Sequence, residues 1–485
     1  MDVRKALIRV SESLWELPVT HKAGMRVPGR IFASEGLLGE MDAGVFEQLA
    51  NVATLPGVVD HVYCMPDGHW GYGFPIGGLA ATDLEEGVIS PGGIGFDINC
   101  GVRLIRTDLT EAEVRPRLRA LVDRLFERIP AGVGGRGFVK MSRDEFRELT
   151  EQGSRWCLKH GYAQQEDLEH TEEGGWMGRA DARKVSDKAV ERGYGQVGTL
   201  GSGNHYLEIQ VARRENVFDG KLARAFGIDR PNQVVIMLHC GSRGFGHQLA
   251  TDYLRRFLGV MTSKYHLSTP DRELACAPFA SPDGQDYFAA MNCAINMAFA
   301  NRQVIFHRVR EVFSEFFHKD PDALGIRQVY DVCHNTAKIE KHTVGGQERE
   351  VLVHRKGATR AFAAGMGDLP AAYRETGQPV IIGGSMETGS YLLAGSASGK
   401  QAFYTTAHGS GRTMSRRQAK RTFRGSNLLK EMASRGIQVR AVSLAGLAEE
   451  AGGAYKDIDA VVAATQKAGL SVPVVRLLPI GNIKG

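Results

Sequence analysis

The sequence predicts a mixed α/β chain of the α+β kind, with central β-sheets flanked by helices. Helix-period and strand-like apolar segments alternate without the regular βα rhythm that a barrel requires. Glycine is in excess, 59 of 485 residues or about 12% against a usual ~7%. The glycines gather after strand-like runs, where backbones turn tightly or approach a ligand closely. Length alone suggests about three domains. Yet the glycine-rich segments run from residue 66 to residue 412 with no evident linker between them. We therefore expect a single large domain, 1–485, with one cleft assembled from many loops.

The elements follow in order. Helices are predicted at 40–53, 111–128, 180–192, 247–263, 287–317, 417–434 and 457–468. The segment 287–317 is the clearest, being long, free of Gly and Pro, and apolar at helical period. Strands are predicted at 58–63, 102–106, 234–239, 327–332, 351–354, 380–382 and 472–477, each a short β-branched or apolar run.

Composition bounds the function. Apolar residues are 43% and charged residues 24%, ordinary for a water-soluble globule and unlike a disordered chain. The formal charge of +5 is too small to announce nucleic-acid binding by itself. Seven cysteines are scattered without a CxxC pair, which argues against a disulfide framework and for a cytoplasmic setting. The N-terminus lacks an apolar signal core, and no apolar run approaches the ~18 residues of a membrane span.

Several loops carry chemistry. Asp97 and Cys100 lie three apart in a glycine-rich loop, where a carboxylate and a thiolate can grip one cation or two adjacent ones. His205 lies in GSGNH, and His239 and His334 each end an apolar run. Singly, each reads as a buried structural residue. Together they form a soft-plus-hard set suited to Zn²⁺, Mn²⁺ or Fe²⁺. His408 opens HGSGR, where small residues admit phosphate oxygens, Arg412 can pair with them, and an imidazole can attack phosphorus. The other reading is a turn histidine. Arg416, Arg417, Lys420, Arg421 and Arg424 follow on a predicted helix. Four of them, from Arg417 on, share one face, either merely solvated or able to hold RNA phosphates. GSASGK (395–400) is one residue short of a P-loop, HExxH is absent, and so is the KxDG of ordinary ATP-dependent ligases.

In order along the chain, MPDGHWGYGFPIGG, GGIGFDINCGVR, GTLGSGNHYLE, HCGSRG, HNTAK, GSM-x-x-GSY, HGSGR and LLPIGNIKG resemble the RtcB family of RNA-splicing ligases. The resemblance implies joining of RNA 2′,3′-cyclic phosphate or 3′-phosphate ends to 5′-hydroxyl ends, using GTP and two Mn²⁺ ions. It implies metal ligands Asp97, Cys100, His205, His239 and His334, with Cys100 bridging, and guanylylation of His408. It implies a GMP pocket from Asn204, Glu208, Asn335, Gly383, Gly384, Ser385, Met386, Ser390, Gly409, Ser410 and Gly411. Tyr455 and Lys484 would complete the base site, with His205 and His334 adjoining it. RNA ends of tRNA halves or damaged RNA, and an archease-type activator, are the implied partners. Glu387, after GSM, departs from the small residue usual there. Its carboxylate either repels phosphates or points away to an arginine. A paralogue or cyclic phosphoesterase with altered nucleotide use, and a non-enzymatic RNA scaffold, are the rival expectations.

Overall fold

The computed structural model describes residues 3–485. Two large sheets organise a mixed α+β architecture. One has the strand order Ile8–Arg9, Leu14–Leu17, Gly29–Phe32, Val58–His69, Ile76–Asp83, Gln347–Lys356, Asn335–Val344. The other runs Arg327–Cys333, Gly101–Thr110, Gln233–Cys240, Tyr206–Val217, Ser471–Lys484, Ser390–Gly395, Pro379–Gly383, with Gln438–Ala441 added parallel to Ser471–Lys484. The strand Gln233–Cys240 (QVVIMLHC) is buried at every position, as a central strand covered on both faces must be. Burying each Val, Ile or Leu there contributes roughly 1.5–3 kcal/mol.

The two sheets meet at one residue. Edge strand Arg327–Cys333 of one sheet and edge strand Asn335–Val344 of the other are separated only by His334. The chain changes sheet there, so whatever His334 binds lies at their junction.

A 36-residue helix, Pro282–Phe317, backs the second sheet. The Ser281 hydroxyl caps it by accepting from Gly284 N at 3.2 Å, Pro282 takes the first turn, and His318 closes it in the left-handed region at φ 53°. The helix begins five residues before the expected start, because Pro282 and Gly284 read as a turn yet suit a first turn. Its buried polar side chains (Asn296, Asn301, Arg302 and Gln303) reach into neighbouring loops.

Every predicted strand is present, and all seven are longer. Among the described residues, Ile76–Asp83, Tyr206–Val217, Asn335–Val344 and Ser390–Gly395 are strands that apolar runs did not reveal. Asn335–Val344 (NTAKIEKHTV) looks like a polar surface segment, but Lys338, Glu340 and His342 are buried. They are paired: Lys338 with Glu172 at 2.6 Å, Glu340 with Arg355 at 2.6 Å and with His342 at 2.8 Å.

Three expected helices are broken. Pro116 divides 111–128 into Glu111–Val114, a tighter turn at Arg115–Arg117, and Leu118–Arg128. The span 180–192 shrinks to a turn at Ala182–Lys184 and the helix Asp187–Gly193 capped by Ser186. The span 417–434 becomes Arg416–Thr422 and Gly425–Ser434. Arg424 therefore leaves the continuous basic face expected for it and sits at the start of the second helix in extended backbone.

Candidate functional site

Strand register gathers the site. Gly101 pairs with both Cys240 and Cys333, Val102 with His239, and Tyr206 with both His239 and Lys484. Cys100, His205, His239, His334 and Lys484 therefore arrive at one end of adjacent strands. The Asp97–Cys100 turn is closed by Cys100 N donating to Asp97 O at 3.1 Å, with Asn99 held at φ 55°. Asn335 fastens that turn, its Nδ2 donating to Asp97 O at 2.9 Å while its Oδ1 accepts from Gly357 N at 2.8 Å.

Two donor triads share one sulfur: Asp97, Cys100 and His205, and Cys100, His239 and His334. Cys100 Sγ lies 3.4 Å from His205 Nε2 and 3.2 Å from His239 Nε2, and His239 Nε2 lies 3.3 Å from His334 Nε2. Tetrahedral coordination at bond lengths of about 2.0–2.3 Å separates donor atoms by close to such distances. Burial holds His239 and His334 well below the usual imidazole range, with neighbouring histidine charges adding to the effect, so both rings are neutral. Neutral imidazole nitrogens turned on each other and on a sulfur are what a cation resolves. Burial and the Asp97 charge raise the Cys100 thiol far up, an effect a bound cation reverses by taking the thiolate. The residues present therefore fit bound divalent cations, with Cys100 in reach of both triads.

Asp97 is half-buried, and desolvation pushes its carboxyl up. His205 and Arg243 beside it more than offset this and keep it ionised. His205 Nε2 donates to Asp97 Oδ2 at 2.8 Å, and Arg243 Nη1 donates to His205 Nδ1 at 2.8 Å. A cation held through Nε2 would displace that proton, so Nδ1 would carry it and Arg243 could no longer donate there.

His408 follows the short strand Thr405–Ala407, its ring centred 4.7 Å from that of His334. Buried Asp67 receives three bonds from this turn: His408 Nδ1–H at 2.6 Å, His408 N at 3.0 Å and Gly409 N at 3.2 Å. Burial opposes ionisation of Asp67, but His408 outweighs it and holds the carboxyl below its ordinary value. With Nδ1 protonated, Nε2 carries the free lone pair. Gly411 is required here: at φ 74°, a Cβ would stand 2.1 Å from Asp67 O.

A cavity of about 790 Å³ joins these parts. Asp97, Cys100, His239, His334, Asn204, Asn335, Gly383, Gly384, Ser385, Met386, His408, Gly409, Ser410, Gly411, Arg412, Tyr455 and Lys484 all lie on its wall. His205 stands just behind Asp97 and Cys100. Among the described residues the buried Ser410 hydroxyl has no hydrogen-bond partner, and it is free for a ligand.

Other expected residues fall outside the wall. Glu208 is buried beneath it, accepting from Gln210 Nε2 at 2.7 Å and from Asn482 Nδ2. Burial raises its carboxyl to about 7 against the opposing charge of Lys484. Ser390 accepts from Gln210 at 3.2 Å. Arg417, Lys420 and Arg421 are exposed and off the wall, and Lys420 pairs with Glu449 at 2.6 Å. Arg412 is held by Glu450 at 3.2 Å and by the Tyr455 hydroxyl at 2.9 Å, which ties it to the base end of the cavity. Glu387 turns from the cavity, accepting from Gly452 N at 2.7 Å with Arg435 3.5 Å away.

Sequence reasoning missed Asp67, Glu450 and Arg302. Asp67 in PDG looks like a turn residue. Arg302 was detectable as a charge inside the apolar run AINMAFANRQVIF. It is fully buried, donates to Asn99 O at 2.8 Å and Cys240 O at 2.9 Å, and pairs with Asp331 at 2.8 Å. It thereby braces the two segments that carry Cys100 and His239.

Comparison with known proteins places this site in context. The family model described as "tRNA-splicing ligase RtcB" matches residues 48–485. A "tRNA-splicing ligase RtcB" of Thermococcus kodakarensis is 51% identical over 481 residues, covering 99% of each chain. One from Archaeoglobus fulgidus is 49% identical over 486 residues, covering 100% of each. An "RNA-splicing ligase RtcB" of Mycobacterium tuberculosis is 49% identical over 441 residues, 90% of this chain and all of the relative. Among the described residues, no helix is long and apolar enough to cross a membrane.

Proposed function

We propose, because this chain belongs to the RtcB family and is an RNA ligase of tRNA splicing or RNA repair, that it joins RNA 3′-phosphate or 2′,3′-cyclic phosphate ends to 5′-hydroxyl ends through a GMP–His408 intermediate. The observation that carries this reading is the Asp67–His408 bond beside His334. It engages Nδ1 and so leaves Nε2 as the nitrogen available for bonding, on a turn that adjoins the donor triads.

His408 Nε2 bonds to the α-phosphorus of GTP, the bond from that phosphorus to its bridging oxygen breaks, and pyrophosphate leaves with the electron pair. The Asp67 carboxylate balances the charge on the modified ring through Nδ1–H. An oxygen of the RNA 3′-phosphate then attacks the same phosphorus, the N–P bond breaks, and the RNA end carries GMP through a pyrophosphate link. The 5′-hydroxyl attacks the RNA-side phosphorus, gives up its proton, and GMP departs. A cyclic phosphate is first opened by water. Divalent cations held by Asp97, Cys100, His205, His239 and His334, manganese in this reading, supply neutralisation and alignment of phosphate oxygens when bound.

The base end takes guanine. Lys484 donates to its O6 and N7 acceptors and Tyr455 flanks it, and Glu208, beneath the wall, reaches its N1–H and N2–H₂ edge by giving up the bonds from Gln210 and Asn482, a pattern adenine does not offer. Glu387 does not oppose the phosphates in this reading, since its carboxylate bonds to Gly452 N. All seven cysteines are buried free thiols, which supports a reducing, cytoplasmic setting.

Incubation with Mn²⁺ and α-labelled GTP tests the reading. Wild type is expected to acquire an acid-labile, alkali-stable label that His408→Ala lacks. Equal labelling of the two proteins, or RNA hydrolysis without joining in the presence of GTP, would contradict it.

A further inference from the structure

One tryptophan on the cavity wall is exposed and yet fixed in place. Trp70 follows strand Val58–His69 and is 60% exposed, although an indole in water forgoes a large burial gain. Its seat is built. The ring lies on Gly44, where any Cβ would stand 1.7 Å from its Cζ3 atom. The buried Gln48 amide fastens the next residue from both sides, donating to Gly71 O at 2.7 Å and accepting from Gly71 N at 3.2 Å. On the other flank His69 Nδ1–H donates to Asp67 O at 2.9 Å, and Asp67 is the residue that holds His408. The indole is thus tied to the reacting histidine through a short, pinned segment. Tyr72 and Phe96 line the same cavity with ring centres 5.2 Å apart, and Phe96 directly precedes Asp97.

We propose that Trp70 is a stacking platform for a nucleobase of the RNA strand, close to the ends being joined. The proposal rests on the RNA-ligase reading above and adds a position for the strand beside the reacting phosphate. A pre-fixed indole loses little side-chain freedom when a base lands on it. Stacking accepts any base, because each has a π face. That suits an enzyme that must take ends of differing sequence. Guanine of the nucleotide is assigned to Tyr455 and Lys484, so the indole is left to the RNA. The base belongs to the strand ending in the 3′-phosphate or to the one beginning with the 5′-hydroxyl, and the two arms of the test distinguish them.

The test measures binding of two short single-stranded RNAs, one with a 3′-phosphate and one with a 5′-hydroxyl, by fluorescence anisotropy with Mn²⁺ and without GTP. Each RNA is also made with an abasic terminal nucleotide. Trp70→Ala is expected to weaken one of the two strands about tenfold, and Trp70→Phe to retain most of the affinity. The abasic end should weaken wild type by a similar factor and leave Trp70→Ala unaffected. Guanylylation of His408 should match wild type in both variants. Unchanged affinity of Trp70→Ala for both RNAs overturns the proposal, as does an abasic penalty that persists in full in that variant. Loss of guanylylation in Trp70→Ala also overturns it, since the indole would then serve GTP. Wild type that neither labels at His408 nor binds RNA would overturn the ligase reading itself, a result distinct from the others.

Discussion

At the residue scale, the proposed chemistry turns on which nitrogen of His408 holds the proton. Asp67 accepts from Nδ1 and leaves Nε2 bare. Asp67→Asn can present an amide donor to Nδ1 and so favour the opposite tautomer. Guanylylation is expected to slow on the order of 10²–10⁴-fold, as when the carboxylate orienting a reactive histidine is lost. Single-turnover labelling with GTP measures it, and a rate near wild type would contradict the assignment. Glu208 gives a pH signature. With its carboxyl raised to about 7 by burial, it is mostly protonated at pH 6 and mostly ionised at pH 8. In the proposed base site only the ionised form, released from Gln210 and Asn482, accepts from guanine with both oxygens. GTP affinity, measured on His408→Ala, is expected to rise about tenfold from pH 6 to pH 8, following the ionised fraction. In Glu208→Gln the profile should be flat, and an equal rise there would contradict the role. The metal-ligand candidates and His408 were legible in the sequence because His and Cys at strand exits stand out. Asp67 was not, since an aspartate before glycine is ordinary turn chemistry.

At the element scale, the long helix acts as a brace for the ligand loops. Arg302 projects from it to Asn99 O and Cys240 O, and Asp331 neutralises Arg302 and Arg103 together, with Arg103 2.7 Å away. Replacing one member of such a buried network strands the other charges. Arg302→Met is expected to lower stability by about 3 kcal/mol or more in chemical denaturation, and to weaken divalent-cation binding as well. A change within ~0.5 kcal/mol, the scale of an ordinary surface substitution, would remove the bracing role. Pattern reading succeeded for this helix and for QVVIMLHC because their cores are apolar. It failed for Asn335–Val344, whose inward Glu340 is satisfied by Arg355 on the paired strand and whose inward Lys338 by Glu172 from a distant segment. No local pattern announces a partner more than 150 residues away. The helix expected over 417–434 was read too long, and of its basic face only Arg424 is lost. Phe423 and Arg424 leave helical backbone, so one predicted face becomes two short helices.

At the scale of the whole molecule, the site exists because two sheets meet at His334. Its donors come from the ends of second-sheet strands and the Gly-rich turns beside them, while Asp67, which holds His408, comes from the first sheet. A cation pair bound there ties together segments from residue 97 to residue 334 and should stabilise the fold as well as the reaction. Mn²⁺ at about 100 times its Kd is expected to add roughly 2.7 kcal/mol to stability, read as a higher Tm that a chelator reverses. Cys100→Ser is expected to lose most of that gain, because its sulfur serves both triads. An unchanged Mn²⁺-induced shift in that variant would argue against a shared sulfur.

The most direct measurement is a crystal structure after soaking with Mn²⁺ and GTP, with anomalous data at the manganese edge. The account predicts two manganese peaks that share Cys100 Sγ, and density joining His408 Nε2 to the phosphorus of GMP. Manganese bound away from Cys100, or a nucleotide linked to any other side chain, would contradict it.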